Sequence, residues 1–192
     1  MSTIRMTVAA LTAVAVAAVG CTAQAPQADQ SAGSTIADEH GLAGLDARQM
    51  IERLDATPVA QRWTDLIASV QPDELVLTSG DRTQSVPMPN EEFYLAVAPY
   101  DSRTHECYFH SLTTCLGELR NEQVQVTVTD RATGATVVDD DVTTFDNGFV
   151  GIWLPRGLDG EITVEHDGRR ATAPISTSNP DDLTCLTSLR LA

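Results

Sequence analysis

Residues 124–128 read Val-Gln-Val-Thr-Val, and this alternation of apolar and polar side chains is typical of a half-buried β-strand. Other segments rich in strand-forming residues lie before and after it, at a spacing of about ten residues, and turn signals with Gly, Asn or Asp separate them. Such spacing favours a small antiparallel sandwich. The predicted strands are 93–97, 124–128, 136–144, 149–154, 162–165 and 171–175, with a last one at 184–191.

The segment before these strands has helical character. Asp46 is a favourable N-cap for a helix that begins at Ala47, because its carboxylate can accept hydrogen bonds from the first free N–H groups. Met50, Ile51 and Leu54 then fall on one helical face. The sequence therefore predicts an amphipathic helix whose apolar face packs on the rest of the protein.

Two more elements are expected between this helix and the β region. Pro58 opens a second predicted helix over residues 59–70, where apolar side chains recur at helical spacing. Residues 73–89 predict a β-hairpin with a glycine turn. The expected fold class is therefore α+β: a small N-terminal helical or α+β region at 45–98, followed by a C-terminal antiparallel β-sandwich-like domain at 99–192.

Residues 1–21 have the composition of an export signal. Arg5 provides a positive charge ahead of an apolar run at 7–19 that is shorter than a usual membrane span. The run ends in Ala-Val-Gly-Cys, which is similar to the bacterial lipobox, although Ala18 stands where Leu is usual. We therefore expect a lipoprotein signal peptide and a lipid on Cys21. An ordinary signal peptide with a coincidental cysteine is the alternative.

The next segment, residues 22–44, is small and polar, as in a flexible tether. His40 lies within it and is expected to be exposed. Together with the lipid on Cys21, this segment predicts an exported protein that is anchored to the cell membrane and faces the periplasm or the cell exterior.

The charge of the chain is strongly negative. It has 27 acidic residues against 12 basic residues, all of them arginine, and a net charge of −15 at pH 7. This balance argues against nucleic acid as a partner and against binding to anionic lipid surfaces. It attracts cations in general, but it does not specify a site for one.

The metal-ligand candidates are Cys107, His110 and Cys115, in the pattern C-x2-H-x4-C, and the distant Cys185. If a lipid occupies Cys21, three thiols remain outside the cytoplasm. Three is odd, so disulfide pairing cannot account for all of them, although thiols there tend to oxidise. Thiolate sulfur with imidazole nitrogen suits Cu(I), or alternatively Zn(II). An antiparallel sheet would bring the last strand, and its cysteine, beside an earlier one.

Other interpretations of these residues stay open. A simple disulfide between Cys107 and Cys115 would leave Cys185 as a buried inert thiol. Three cysteines and one histidine also match a structural zinc site. The His-Glu pair at His105 is similar to a zincin motif, but His110 follows five positions later, whereas a helical metalloprotease motif needs four. A metalloprotease is therefore excluded.

Two distant segments, CYFHSLTTCLGEL at 107–119 and TCLTSLRL at 184–191, closely resemble the CueP family of bacterial periplasmic copper-binding proteins. The resemblance covers roughly residues 45–192. It is specific because the two segments agree with the family in order and in spacing. The N-terminus departs from it, since a lipobox and a tether stand where a simple cleaved signal is usual.

This resemblance implies an exported protein of copper resistance, with its metal site in the C-terminal β domain. It implies Cu(I) binding through Cys107, Cys115 and Cys185, reduction of Cu(II), and supply of copper to a periplasmic superoxide dismutase. It also implies a homodimer formed through the N-terminal region. His110 lies inside the matching motif and is a possible additional ligand.

We therefore expect a lipid-anchored, exported protein that holds Cu(I) through three cysteines. Two alternatives come from other functional classes. In the first, the same thiols make the protein a cupric reductase. In the second, the protein is a disulfide-stapled structural lipoprotein with no metal role.

Overall fold

The computed structural model describes residues 34–192. The predicted signal peptide, Cys21 and the first part of the predicted tether lie outside the described residues. Between residues 34 and 192, no helix has the length and apolar character that a membrane crossing needs. The described residues belong to one compact unit.

The helical part of the fold comes first in the chain. Helix α1 covers Ile36–Glu39 and helix α2 covers Ala47–Asp55. Asp46 caps α2 in a capping box, in which its side chain accepts from the backbone N–H of Gln49 and the Gln49 side chain accepts from the N–H of Asp46. The predicted helix and its N-cap are therefore confirmed.

The second predicted helix is wrong. Of residues 59–70, only the 3-10 turn Val59–Gln61 is helical, and Ile67–Val70 forms strand β1. The backbone of Arg62 is already extended, which ends the turn. Backbone pairing of β1 with β2 overrides the helical spacing, and the β-branched residues at both ends of β1 suit a strand.

The predicted tether is corrected over residues 34–44. Ile36, the first residue of α1, and Leu42, three residues after the end of that helix, are buried in the core. His40 is only 4% exposed, and its Nδ1 lies 2.8 Å from the carbonyl oxygen of Ile36. Two large apolar side chains in an otherwise small and polar segment are enough to bind it to the core, because each burial contributes roughly 1.5–3 kcal/mol.

Three sheets form the rest of the described fold, with strand orders β3-β2-β1-β5, β10-β9-β6-β7 and β11-β4-β8. The remaining strand bounds are β2 Glu74–Ser79, β3 Arg82–Pro87, β4 Glu92–Val97, β5 His110–Ser111, β6 Gln123–Asp130, β7 Thr136–Thr143, β8 Val150–Pro155, β9 Asp159–His166, β10 Arg169–Ser176 and β11 Cys185–Leu186.

The expected fold class is confirmed: a small helical N-terminal part precedes a mostly antiparallel β structure. The hairpin at 73–89 and the strands of the sandwich form where the alternation predicted them. The last strand differs from expectation in two ways. It is two residues long, and it runs parallel to β4, with Cys185 opposite Ala96.

Strand β4 is buried on both faces and separates two apolar clusters. Tyr94 joins the first cluster, with α1, α2, β1 and β2, whereas Phe93 joins the second, with β6, β9 and β10. Strand β11 alternates in the same way, so Cys185 faces the first cluster and Leu186 the second. The first cluster thus contains residues from both sides of the predicted boundary between 98 and 99.

Candidate metal centre

The four predicted metal-ligand residues meet in the first apolar cluster. The sulfur atoms of Cys107, Cys115 and Cys185 and a ring nitrogen of His110 all lie within 4.8 Å of one another. His110 and Cys185 are buried, whereas Cys107 and Cys115 are half-buried. The structure therefore brings Cys185 to the C-x2-H-x4-C motif, although it lies 70 positions after Cys115 in the sequence.

Strand β5 positions the C-x2-H-x4-C segment. His110 pairs with Val70 of β1, and the N–H of Leu112 donates to the carbonyl oxygen of Ala68 at 2.9 Å. The chain then turns, and the N–H of Cys115 donates to the carbonyl oxygen of Ser111 at 3.0 Å. This turn folds Cys115 back over His110, which places its sulfur beside that of Cys107.

Thr184, which precedes Cys185, joins the elements that carry the ligands. Its buried hydroxyl accepts from the N–H of His110 at 3.0 Å and donates to the carbonyl oxygen of Val70 at 2.6 Å. The N–H groups of Thr184 and Cys185 both donate to the carbonyl oxygen of Tyr108. One side chain therefore links β1, β5 and β11 at the metal centre.

The sulfur atoms are partly oxidised in this structure. Cys107 forms a disulfide with Cys185, with 5.6 Å between their Cα atoms, and Cys115 is the free cysteine of the described residues. The Cys115 sulfur lies 3.5 Å from the Cys107 sulfur. The alternative disulfide between Cys107 and Cys115 is therefore not the one that this structure contains, because β11 places Cys185 against Cys107.

A buried carboxylate supports His110 from the side away from the sulfurs. The His110 ring is fully buried, with Nδ1 3.7 Å from the Cys185 sulfur and Nε2 3.5 Å from Oδ1 of Asp55. Asp55, itself 1% exposed, accepts hydrogen bonds from the Tyr94 hydroxyl and, at 2.8 Å, from the Asn147 amide. Its carboxylate is therefore held in a dry site by three polar side chains.

Burial and charge act in opposite directions on this pair. Burial favours the neutral carboxyl of Asp55, but His110, Tyr94 and Asn147 outweigh burial and hold the pKa of Asp55 below its ordinary value. Burial likewise disfavours the imidazolium of His110, but the carboxylate and the Cys115 sulfur raise its pKa. The site therefore favours a charged His110–Asp55 pair, in which Nε2 makes an ion-pair contact with Asp55 and Nδ1 faces the Cys185 sulfur.

The free thiol of Cys115 is acidic. Burial alone would raise its pKa, but His110, His105 and the N–H of Ser111 outweigh burial and lower the pKa of Cys115 from 9.0 to about 7. The N–H of Ser111 lies 3.4 Å from the sulfur. A substantial fraction of Cys115 is therefore thiolate at neutral pH, and thiolate is the form that binds soft metals and attacks disulfides.

Arg62 adds a positive charge beneath the free thiol. Its Nη1 donates to the carbonyl oxygen of Cys115 at 2.9 Å, whereas its buried Nε and Nη2 have no hydrogen-bond partner within the described residues. Burial lowers the pKa of Arg62, while the charges of Asp55, Cys115 and Asp146 oppose that shift. A buried guanidinium here offsets the negative charge of thiolates gathered at the centre.

Two close backbone contacts shape the surroundings. The N–H of Gly117, just after Cys115, donates to the carbonyl oxygen of Asn147 at 2.6 Å, and a Cβ on Gly117 would collide with the backbone of Gly148. A Cβ on Gly151 would collide with the Tyr94 hydroxyl that reaches Asp55. Glycine at these positions therefore permits the packing that aims Tyr94 and Asn147 at the carboxylate.

Solvent reaches the centre from one side. A pocket of about 490 Å³ is lined by Arg103, His105, Cys115 and Arg120, among others. Of the three sulfur-bearing residues, only Cys115 lines this pocket. The side chain of Tyr108 is 55% exposed and does not line it.

Sequence reasoning identified the four ligand candidates but missed the polar residues that support them. Asp55 carried a usable signal, because it follows Ile51 by four positions and so lies on the apolar face of α2, where an acid needs a partner. Arg62, Tyr94, Asn147 and Thr184, the other missed residues, carried no such signal. Their roles depend on contacts between segments that are distant in sequence.

Comparison with known proteins agrees with the chemistry of this centre. A family model described as "Periplasmic copper-binding protein CueP" matches residues 49–190, a range that contains all four ligand candidates. The chain belongs to the CueP family. Members of this family are periplasmic copper-binding proteins, so the chain is an exported protein of a copper-binding family.

A solved structure also resembles this chain. The crystal structure of S.CueP aligns with a TM-score of 0.76 and 40% sequence identity, over 81% of this chain and 94% of that one. No curated protein matches the chain. The resemblance that the two cysteine-containing segments suggested is thereby confirmed over most of the folded part.

Proposed function

We propose that this protein is a lipid-anchored copper carrier that holds Cu(I) through Cys107, Cys115 and Cys185. The observation that carries the proposal is the convergence of three sulfurs from two distant segments in one buried cluster. Three thiolates satisfy the preference of Cu(I) for soft ligands. Because two of the sulfurs are joined here as a disulfide, the metal-binding form is the reduced one.

Charge supports the same proposal. Three thiolates around Cu(I) carry a net charge of −2, in a site that already contains the carboxylate of Asp55. Arg62 and a protonated His110 provide compensating positive charges within the same cluster. A buried centre that gathers negative ligands needs such counter-charges, since an uncompensated charge in a dry site is very costly.

The test is anaerobic competition for Cu(I) against a chelator of known affinity. Cys185→Ser should weaken Cu(I) binding by more than about 100-fold, since losing a direct ligand costs more than the 10–100-fold typical of outer partners. Cys21→Ser is the matched control, because it is the same substitution at a cysteine outside the proposed site. Equal affinity of the Cys185→Ser variant and the wild type would remove Cys185 from the ligand set.

For His110 we infer an auxiliary role, in which it orients and shields the thiolates while sulfur alone binds the metal. Its Nε2 faces Asp55, and its Nδ1 is 3.7 Å from the Cys185 sulfur. X-ray absorption of the Cu(I) form should then show a first shell of sulfur only. A nitrogen scatterer that disappears in His110→Ala would instead make His110 a ligand.

The second candidate function is reduction of Cu(II) by the same thiols. The disulfide between Cys107 and Cys185 favours it, because this bond is the product that two thiols leave after giving one electron to each of two Cu(II) ions. Reduced protein should convert two equivalents of Cu(II) to Cu(I) while its thiol count falls by two. Copper bound as Cu(II) with no loss of thiols would exclude this activity.

Location and delivery complete the proposal. A lipid on Cys21 would keep the carrier at a membrane facing the periplasm or the cell exterior, where a periplasmic superoxide dismutase could accept its copper. A homodimer formed through the N-terminal region is proposed from the resemblance to the family. Cell fractionation tests the anchor: Cys21→Ser should move the mature protein from the membrane fraction to the soluble one.

A further inference from the structure

The three sulfurs are not equivalent, because Cys107 lies between the other two. It is bonded to Cys185, and the free Cys115 sulfur stands 3.5 Å from it. That separation is within the range at which two held groups are poised to react. A new bond of about 2 Å between Cys115 and Cys107 requires only a small approach of side chains.

The sulfurs also differ in their access to solvent. Cys185 is 1% exposed and lies in the strand that pairs with β4, under the loop that carries Cys107. Neither Cys107 nor Cys185 lines the 490 Å³ pocket, whereas Cys115 does. An external reductant that enters this pocket therefore meets Cys115, which is not part of the disulfide.

We propose that the disulfide moves: Cys115 attacks Cys107, so that the Cys107–Cys185 bond, which lies outside the pocket, is exchanged for a Cys107–Cys115 bond at the pocket. In this step the Cys115 thiolate forms a bond to the Cys107 sulfur while the bond from Cys107 to Cys185 breaks. Cys185 leaves as a thiolate and takes up the proton that Cys115 released. No electrons enter or leave the protein, and the exchange is reversible.

The exchanged disulfide is the form that an external thiol reduces. The thiol attacks the Cys115 sulfur from the pocket and releases Cys107, and a second thiol then releases Cys115. Two thiols and one disulfide become one external disulfide and two protein thiols, so all atoms and electrons balance. Cys107 is thus the exchanging sulfur and Cys115 the entry point for electrons.

This inference concerns the metal-free protein and does not depend on copper binding. Its test contains no copper. A failure of the exchange would therefore leave the proposed Cu(I) site intact, and a failure to bind Cu(I) would leave the exchange intact. The first measurement is the disulfide content of the oxidised wild type, quenched in acid and digested with an acid protease. Cleavage at Phe109 or Leu112 separates Cys107 from Cys115, which makes the two disulfides distinguishable by mass.

The second measurement is the rate at which dithiothreitol reduces the Cys107–Cys185 bond. Cys115→Ser removes the attacking sulfur and should slow this rate by about tenfold or more, because Cys185 is buried and neither sulfur of the remaining disulfide lines the pocket. Cys115→Ala should behave in the same way. Leu116→Ser, a polar change at the exposed neighbouring side chain, is the matched control and should reduce as fast as the wild type.

Recovery of both the Cys107–Cys185 and Cys107–Cys115 peptides from the wild type, with slow reduction of both Cys115 variants, supports the exchange. If these variants are reduced as fast as the wild type, the electrons do not enter through Cys115 and the proposal is overturned. Slow reduction of Leu116→Ser as well would also overturn it, since the effect would then come from disturbing the pocket.

Discussion

The sheet β10-β9-β6-β7 and the cysteine–histidine centre are built on different principles. In the sheet, Val124, Val126 and Val128 alternate along β6 as buried residues, and Ile162 and Val164 of the neighbouring strand β9 are also buried. In the centre, apolar side chains surround the buried ionisable residues Asp55 and His110. The interior of the sheet is apolar and its ion pairs lie at the surface, whereas the centre has buried charged groups that must be partnered.

This difference indicates which of the two regions is the functional site. A buried charge lowers stability unless its partners are placed correctly, and buried charged groups therefore concentrate at functional sites. The sheet can exchange one apolar side chain for another at small cost. The centre cannot lose a polar partner without leaving another group unpaired. The following predictions test this contrast, beginning with the largest expected effect.

Replacing Asp55 should have the largest effect on stability. Asp55→Ala leaves His110, Tyr94 and Asn147 without their common partner and should lower the free energy of unfolding by about 3–5 kcal/mol. Denaturant unfolding of the oxidised protein measures this. Asp55→Asn, which keeps the shape and part of the hydrogen bonding, is the matched control and should lose less. Equal losses would mean that packing, and not charge, decides the effect.

The pH dependence of the Asp55 contribution has a defined sign. The pKa of Asp55 is lowered on folding, so its contribution is present above its unfolded pKa and is lost as pH falls through the folded one. The pKa of His110 is raised, so its contribution is present below its unfolded pKa and is lost as pH rises through the folded one. The stability difference between wild type and Asp55→Asn should therefore be largest between the ordinary pKa values of the two groups, 3.8 for Asp and 6.5 for His, and should shrink at lower and at higher pH.

Ionisation of Cys115 should have the next largest effect, on reactivity. With a pKa of about 7 in place of 9.0, the thiol should be roughly fifty times more ionised at pH 7 than an unperturbed one. Iodoacetamide alkylation of the oxidised protein should reach half its maximal rate near pH 7. Ser111→Ala is a conservative control, because it changes the side chain of Ser111 but keeps the backbone N–H that faces the sulfur. A midpoint near pH 9 would contradict the role assigned to the two histidines.

Thr184→Val should have an intermediate effect. It removes the hydroxyl that bonds the N–H of His110 and the carbonyl oxygen of Val70, and both groups are left buried. The expected loss in unfolding free energy is about 1–3 kcal/mol, with a change in Cys115 reactivity because the elements shift. Thr163→Val, which removes a hydroxyl that bonds Thr172 on the solvent-facing side of the sheet, is the matched control and should cost less, because water can replace that partner. Unchanged stability of Thr184→Val would show that Thr184 does not hold the centre together.

The smallest effect is expected in the sheet. Ile162→Val removes one methylene from the second apolar cluster and should cost about 1 kcal/mol. The alkylation rate of Cys115 and its pH midpoint should not change, because the second cluster lies on the other face of β4. A change in that midpoint would mean that the two clusters are coupled and that the sheet and the centre are not independent.

Local pattern was enough to predict much of this protein. The alternation in β6, the turn signals between strands and the cap at Asp46 act over a few residues, and the structure follows them. The pattern failed at 59–70, where helical spacing predicted a helix but pairing with β2 and β5 formed β1. It also failed at 34–44, where Ile36 and Leu42 bury a segment whose overall composition is that of a tether.

The sequence likewise indicated the kind of chemistry, because the thiols of Cys107, Cys115 and Cys185 together with His110 form a ligand set that suits a soft metal. What the centre can do with those thiols was decided only by tertiary structure. The parallel pairing of β11 with β4 placed Cys185 against Cys107 and left Cys115 free at a pocket. The same packing set Asp55 behind His110. Disulfide choice and pKa depend on distances of a few ångströms between segments far apart in sequence, and only the folded chain sets those distances.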